Sequence, residues 1–82
     1  MFINKATNGQ NNICGANIAQ KRKNLQISQR ELSDRLQLVG LDVDKNAIQR
    51  IESGKRFVTD IELLGFANIF GVTVDELLKG MP

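Results

Sequence analysis

The sequence contains no histidine, and cysteine occurs only once, at Cys14. Without histidine, imidazole acid–base catalysis and histidine-based metal sites are both excluded. A lone cysteine cannot form a disulfide within the chain, which favours a reducing compartment, and we expect a buried, inert thiol. Asp42 and Asp44 alone offer too few oxygen ligands for a dedicated calcium loop. The sequence therefore predicts no enzyme, no metal and no cofactor.

Long apolar segments are absent as well. No stretch approaches the roughly 18 apolar residues that a membrane-spanning helix needs. Residues 1–12 are polar and rich in asparagine, without the apolar region of a secretory signal. We therefore expect no membrane segment and a cytoplasmic location.

Net charge is small, at +2, but it is unevenly distributed along the chain. Residues 1–59 contain ten Lys or Arg and five Asp or Glu, whereas residues 60–82 contain one basic and four acidic residues. A basic part joined to an acidic part suits a protein that presents one side to a polyanion such as nucleic acid. Ordinary scatter of solvated charge is the alternative interpretation.

Three Ser/Thr-x-x-Glu motifs predict where helices begin. In each motif the hydroxyl accepts a hydrogen bond from the third helical amide, and the glutamate accepts one from the cap amide. The three pairs are Ser28 with Glu31, Thr59 with Glu62, and Thr73 with Glu76. Glycines follow three apolar-periodic segments, at the place where a left-handed residue commonly ends a helix. These glycines are Gly54, Gly71 and Gly80.

Apolar residues recur at helical spacing, and no strand-length alternation is present. The pattern predicts one domain of five helices, at about 13–24, 28–38, 44–53, 60–70 and 74–79. The side chains expected to face inward are Ile18, Ala19, Leu32, Leu36, Ala47, Ile48, Ile51, Leu63, Leu64, Ala67, Phe70, Leu77 and Leu78. Leu25, Ile27 and Val72, in the connections, are expected to fill the core. Residues 1–12 lack periodicity and are predicted to be a flexible tail before a domain at 13–82.

Several short motifs follow one another in a fixed order along the chain. They run from Ile18 and Arg22 through Ser28-Gln29, Leu32, Ile48 and Ile51-Glu52-Ser53-Gly54-Lys55 to Leu63, Ala67, Phe70-Gly71-Val72 and Leu77. This ordered set covers about residues 13–80 and resembles the phage-repressor/Cro-like, or Xre-type, helix-turn-helix regulators. The resemblance implies an all-α, compact five-helix, lambda-repressor-like DNA-binding domain in which helices 2 and 3 form the helix-turn-helix.

Helix 3 carries the side chains expected to read DNA. Ala47, Ile48 and Ile51 form its inward stripe, so its polar side chains point elsewhere. These polar side chains are Lys45, Asn46, Gln49 and Arg50. Arg and Lys donate to guanine O6 and N7, and Asn and Gln form paired bonds with adenine. The resemblance places Lys45, Asn46 and Arg50 at base-reading positions, with Gln49 nearby. A solvated helix face is the alternative interpretation.

Other residues are expected to contact DNA phosphates. By resemblance, Gln29 contacts a phosphate and also braces helix 3. Ser28 lies at the N-terminus of helix 2, where free amides attract phosphate, and a plain N-cap is the alternative role. Lys55 and Arg56 follow helix 3 as a basic loop suited to phosphate contact, with a solvated loop as the alternative.

The resemblance also implies a structural contact inside the domain. It makes Arg22 and Glu52 a partly buried ion pair that ties helix 1 to helix 3. Removing one partner would leave the other charge buried, at a cost on the order of 3–5 kcal/mol. We therefore expect both residues to influence DNA binding through the fold.

The connection between helices 2 and 3 departs from the family pattern because it is longer. It contains the apolar side chains Leu38, Leu41 and Val43. We therefore expect an extended helix 2 and a packed, lengthened turn around Gly40, with Asp44 as the cap of helix 3. Before helix 4, Phe57-Val58 stands where many relatives have proline, and it is expected to act as a hydrophobic staple.

The function predicted from these features is a sequence-specific, double-stranded DNA-binding transcriptional regulator, with repression as the expected activity. A homodimer would place two reading helices about 34 Å apart on a near-palindromic operator. The predicted dimer surface comprises Val74, Leu77, Leu78 and Met81, and completion of the core is their alternative role. Two other function classes remain open: a protein-interaction module, such as an antitoxin-like or adaptor domain, and a non-specific nucleic-acid-binding protein.

Overall fold

Five helices follow one another in the computed structural model, which describes residues 9–79. They are α1 (Gly15–Asn24), α2 (Gln29–Leu38), α3 (Lys45–Glu52), α4 (Asp60–Phe70) and α5 (Val74–Leu78). Over these residues the regular structure is entirely helical, which confirms the predicted five-helix, all-α architecture. Within the same range, none of the helices is long and apolar enough to cross a membrane. Gly80 and Met81 lie outside the described residues.

Side-chain caps begin the helices where the sequence predicted them, with one difference. Two capping boxes form completely, those of Ser28 with Glu31 and of Thr59 with Glu62. In the third, Thr73 accepts a hydrogen bond from the Glu76 amide at 3.2 Å, but the Glu76 carboxylate does not return to the cap. That carboxylate pairs instead with Lys21 of α1, at 3.5 Å. The ion pair therefore joins α5 to α1 in place of the second capping bond.

The helices enclose one apolar core, and α3 packs against both α1 and α2. The fully buried side chains at its centre are Ile18, Leu32, Leu36, Val43, Ile48, Ile51, Phe66 and Leu77. Gly15 allows the close approach of α1 and α3, because a Cβ at this position would overlap the carbonyl oxygen of Ile51. The inner face of α3 is therefore fixed by its neighbours, and its other face points away from the core.

The prediction for α4 chose one wrong side chain. Leu64, expected to face inward, is 55% exposed, whereas Phe66 is fully buried. α4 is apolar around most of its circumference, so spacing alone did not identify its inner face. Gly65 packs beneath Leu41 of the α2–α3 connection, which places Phe66 inside and turns Leu64 outward.

The lengthened turn between α2 and α3 is only partly packed. α2 ends at Leu38, and the chain reverses through Gly40 at φ +85°. Val43 is buried and Leu41 packs against the core, as expected. Leu38, however, is 86% exposed, because it lies two residues, or about 200° of helical rotation, beyond the buried Leu36.

Two other apolar residues lie at the surface, against expectation. Leu25 is 44% exposed, although it was expected to fill the core. The next residue, Gln26, has a positive φ of 58°, and this reversal directs Ile27 inward in place of Leu25. Leu78 is also exposed at 37%, because Leu77 takes the inner position of the short helix α5.

Both ends of the described chain are more closely tied to the core than the sequence suggested. Asn11 and Asn12, assigned to the flexible tail 1–12, form hydrogen bonds with residues 51–56 and therefore belong to the packed domain. At the other end, Leu77 is fully buried and Val74 packs against the core. Leu77 therefore completes the core, whereas Val74 packs against it and stays partly exposed.

Candidate nucleic-acid interface

α3 divides its side chains between two environments. Ile48 and Ile51 are fully buried, and Ala47 is half-buried against the core. Four polar side chains are exposed, and together they are termed the reading ridge: Lys45, Asn46, Gln49 and Arg50. Residues three or four apart share a helix face, so these four form one continuous surface. The structure thus brings together the four residues that the sequence selected for base contact.

The reading ridge forms no side-chain hydrogen bond or ion pair with any other residue in the part of the chain that the structure describes. Two of its side chains are cations and two are amides, so it offers many donors and two amide acceptors to the solvent. An external partner can therefore bind the ridge without first breaking contacts inside the protein.

Asp44 fixes the beginning of α3. Its carboxylate accepts a hydrogen bond from the amide of Ala47 at 2.7 Å, and this N-cap is the one predicted. The cap satisfies an amide that has no acceptor within the helix. Lys45 and Asn46, in the first turn, consequently lie on well-formed helical backbone.

Glu52, the last residue of α3, is held by two other helices. Arg22 of α1 donates Nε to Oε2 at 2.7 Å and Nη2 to Oε1 at 3.0 Å. Gln29 of α2 donates Nε2 to the same Oε1 at 3.0 Å. The hydrogen bond to Glu52 raises the pKa of Arg22 above its ordinary value, against the opposing effect of burial. The structure therefore places Arg22 and Glu52 in the ion pair that the family resemblance implied, with Gln29 as a brace.

The N-terminus of α2 lies on exposed chain. Ser28 is the N-cap, and its hydroxyl accepts a hydrogen bond from the Glu31 amide at 3.0 Å. The two preceding helical amides, those of Gln29 and Arg30, have no acceptor within the helix. This end of α2 combines unpaired donors with the positive end of the helix dipole, which is the arrangement that attracts anions.

Lys55 and Arg56, predicted together as phosphate contacts, point in different directions. Lys55 is exposed, and its side chain has no partner among residues 9–79. Arg56 donates both terminal nitrogens to the carboxylate of Glu62, at 3.0 and 2.8 Å, and one of them to the carbonyl of Phe57. These bonds to Glu62 raise the pKa of Arg56 above its ordinary value. The side chain of Lys55 therefore has no partner within residues 9–79, whereas that of Arg56 is paired with Glu62.

Glu62 has a second role that the sequence analysis missed. Besides accepting from Thr59 in the capping box, at 3.0 Å, its carboxylate binds Arg56. The hydrogen bonds from Arg56 are the main reason that the pKa of Glu62 is lowered. The available signal was Arg56, three residues before the cap Thr59. It was overlooked because the capping-box motif already gave Glu62 a partner.

A model of the family described as Helix-turn-helix matches residues 18–77, which is most of the chain. The chain belongs to this helix-turn-helix family, of the Xre or lambda-repressor type. No curated protein and no solved structure matches it. The matched residues begin with the fully buried Ile18 and end with the fully buried Leu77, and the buried Cys14 lies just before them. As a member, the protein is a DNA-binding helix-turn-helix regulator in the general sense.

Within this helix-turn-helix domain, sequence reasoning overlooked the residues just before α1. Asn11 and Asn12 lie against the loop that follows α3, outside the range of the family match. The sequence analysis had counted these two asparagines as part of a flexible, asparagine-rich tail. Two consecutive asparagines directly before a helix were the signal, since asparagine commonly bonds to nearby backbone at helix starts and turns.

Proposed function

We propose that this protein is a sequence-specific regulator of transcription, a repressor that reads the major groove of duplex DNA with α3. The observation that carries the proposal is the reading ridge: four side chains of base-reading type, on one face, with no partner in the described protein. The major groove is wide enough to admit an α-helix. The buried opposite face of α3 supports the ridge while it lies in the groove.

The contacts divide into two classes in this proposal. The ridge supplies the base contacts, from Lys45, Asn46, Gln49 and Arg50. Phosphate contacts come from Lys55 and from the N-terminus of α2, where Ser28 and Gln29 lie beside unpaired amides. Arg56 contributes indirectly, because its guanidinium is bound to Glu62 and holds the loop that carries Lys55.

The proposed repressor binds as a homodimer in the cytoplasm. One domain of this size contacts only a few base pairs, so two copies on a near-palindromic operator increase specificity. The two ridges would then lie about 34 Å apart, one turn of B-DNA. Sedimentation of the protein with an operator duplex should give two chains per duplex, and one chain per duplex would contradict this part of the proposal.

The proposal is tested by selecting bound duplexes from a random pool. We expect one half-site sequence to be enriched, with an affinity at least about a thousandfold above that for random duplex at physiological salt. Binding should also weaken steeply as salt increases. Equal affinity for every duplex would instead indicate non-specific binding, and failure to bind any duplex would favour the protein-interaction module.

A pair of matched variants separates the two classes of contact. Arg50→Ala should flatten base preference at one position, with a loss of about 1–3 kcal/mol on the selected site. Lys55→Ala should weaken binding to all sequences alike and reduce the slope of log affinity against log salt by about one. If both variants changed specific and random binding identically, the assigned roles would be wrong.

A further inference from the structure

Residues 10–12, termed the strap, cross the chain that follows α3. Asn11 donates its backbone amide to the carbonyl of Gly54 and its Nδ2 to the carbonyl of Lys55, both at 2.8 Å. Asn12 donates Nδ2 to the carbonyls of Ile51, at 3.0 Å, and Arg56, at 2.8 Å. Two consecutive asparagines therefore supply donors to four carbonyls within a six-residue segment.

The strap supplies hydrogen-bond donors to carbonyls at the end of α3 and in the loop after it. Carbonyls at the end of a helix have no partner within it. The amide of Lys55 bonds back to the carbonyl of Arg50 at 2.8 Å, while the carbonyl of Lys55 is taken by Asn11. The backbone of Lys55 is thus fixed on both sides, and its side chain is left exposed.

The strap is itself anchored to α1. The Oδ1 of Asn12 accepts a hydrogen bond from the amide of Gly15 at 2.8 Å, at the start of that helix. Gly54 lies beneath the strap, and a Cβ there would collide with the side chain of Gln10. One asparagine therefore links the start of α1, the end of α3 and the loop after it.

We infer that Asn11 and Asn12 are positioning residues for the phosphate contact of Lys55. The inference rests on the proposed function. A phosphate contact fixes the position and orientation of a protein on the duplex. The backbone that carries the contacting side chain, here that of Lys55, must therefore be rigid. If the strap is removed, ordering the loop costs more free energy than one phosphate contact returns, so the contact of Lys55 is lost and the affinity for every sequence falls.

The chain offers a matched control for this inference. In the wild type, the Nδ2 of Asn17 also donates to two backbone carbonyls, those of Leu77 and Lys79, where it ties α1 to the end of α5. Asn12→Ala and Asn17→Ala therefore each delete an amide that donates two hydrogen bonds, and Asn12→Ala also removes the acceptor of the Gly15 amide. Only Asn12 touches the loop beside the reading ridge.

We expect Asn12→Ala to weaken binding to the selected duplex and to random duplex alike, by about tenfold. It should also lower the salt slope by about 0.9, the equivalent of one phosphate contact. Asn17→Ala should leave the affinity and the slope at their wild-type values. In a Lys55→Ala background, Asn12→Ala should cause no further loss of slope. Equal losses from Asn12→Ala and Asn17→Ala, or an undiminished loss in the Lys55→Ala background, would overturn the inference.

Amide hydrogen exchange tests the strap without DNA. Asn12→Ala should accelerate exchange of the Lys55 amide by about tenfold relative to the buried amides of α4, and Asn17→Ala should not. If the wild-type protein bound no DNA, the proposed function would fail, while the exchange rates would still report on the strap. Faster exchange with unchanged DNA affinity and slope would show a purely structural strap and overturn the inference.

A milder variant covers the case in which Asn12→Ala does not fold. Asn11→Ala removes only the side-chain bond to Lys55 and keeps the backbone bond to Gly54. The Oδ1 of Asn11 is buried and accepts no hydrogen bond, so its removal leaves no donor unpaired. Asn11→Ala should lower the salt slope in the same direction as Asn12→Ala, and an unchanged slope would count against the inference.

Discussion

The turn before α3 and the loop after it hold the two ends of this helix by different forces, mainly apolar packing at the first end and hydrogen bonding at the second. In the turn, Val43 is buried, Leu41 packs against the core, and Asp44 supplies one cap. In the loop, the chain is held by hydrogen bonds from the strap and by the pair of Arg56 with Glu62. Burial of apolar surface is non-directional, whereas hydrogen bonds set distance and angle.

This difference matches the roles proposed for the two ends of the ridge, base contact at the start of α3 and phosphate contact after its end. Lys45 and Asn46 begin the helix, where the cap and apolar packing fix the helix as a rigid body. Arg50 and Lys55 lie at the other end, where the carbonyl of Arg50 and both backbone groups of Lys55 form hydrogen bonds. The end that carries the predicted phosphate contact is therefore the more directionally constrained of the two.

The largest effect should come from filling the contact between α1 and the end of α3. In Gly15→Ala, the new methyl group would overlap the carbonyl oxygen of Ile51, a backbone atom that cannot rotate away. We expect the free energy of unfolding to fall by about 3 kcal/mol in urea denaturation. Gly65→Ala is the control, because its methyl group meets only the movable end of the Leu41 side chain. Equal losses would show that the end of α3 is not rigidly held.

A smaller effect should come from weakening the packed turn. Val43→Ala removes buried methyl groups and should lower the free energy of unfolding by about 2 kcal/mol. Val39→Ala is the matched substitution four residues earlier, at a side chain that is 62% exposed, and should change stability by less than about 0.5 kcal/mol. Thermal or urea denaturation of the two variants measures the difference. Similar values would mean that burial does not hold this side of α3.

The ion pair of Arg56 with Glu62 in the loop should make the free energy of unfolding depend on pH. The hydrogen bonds from Arg56 lower the pKa of Glu62 in the folded state, so the carboxylate favours folding. This contribution is present above the ordinary glutamate pKa of about 4.3 and is lost as pH falls through the lower folded value. Glu62→Gln should therefore be less stable than wild type by about 1 kcal/mol near pH 7, with the gap closing in acid. A gap that is constant from pH 7 to pH 3 would contradict the assignment.

The smallest effect should be at the exposed part of the turn. Leu38→Gln should change the free energy of unfolding by less than about 0.5 kcal/mol, because the side chain is almost fully solvated in the domain. A loss above about 1 kcal/mol, measured by the same denaturation, would mean that Leu38 is packed. The turn before α3 would then be held by more packing contacts than the structure shows.

Features that depend on neighbouring residues were predicted well from the sequence. The caps of Ser28, Asp44 and Thr59 form as expected, because a cap and its amide lie within three residues of each other. The spacing of Ile48 and Ile51 was enough to place the reading ridge on the opposite side of α3. Local chemistry and helical periodicity therefore determine both the elements and the exposed face of the candidate site.

Features that depend on distant residues were not predicted from local pattern, and the pair of Arg22 with Glu52 was expected only through the family resemblance. The strap joins positions 39 to 44 residues apart, and nothing in the composition of Asn11 and Asn12 reveals their acceptors. The choice of Phe66 over Leu64 required knowing that Gly65 packs under Leu41. Arg56 has the residue type of a phosphate contact, and only the tertiary structure shows that Glu62 has already engaged it.

Burial of the single thiol has a practical consequence for spectroscopy. Cys14 is almost completely enclosed, and burial raises its pKa to about 11, so very little reactive thiolate forms at neutral pH. A Leu38→Cys variant would therefore present one readily alkylated sulfur on an otherwise unreactive background. Attachment of a fluorophore or spin label there would test whether two copies assemble on DNA, with no need to replace the natural cysteine.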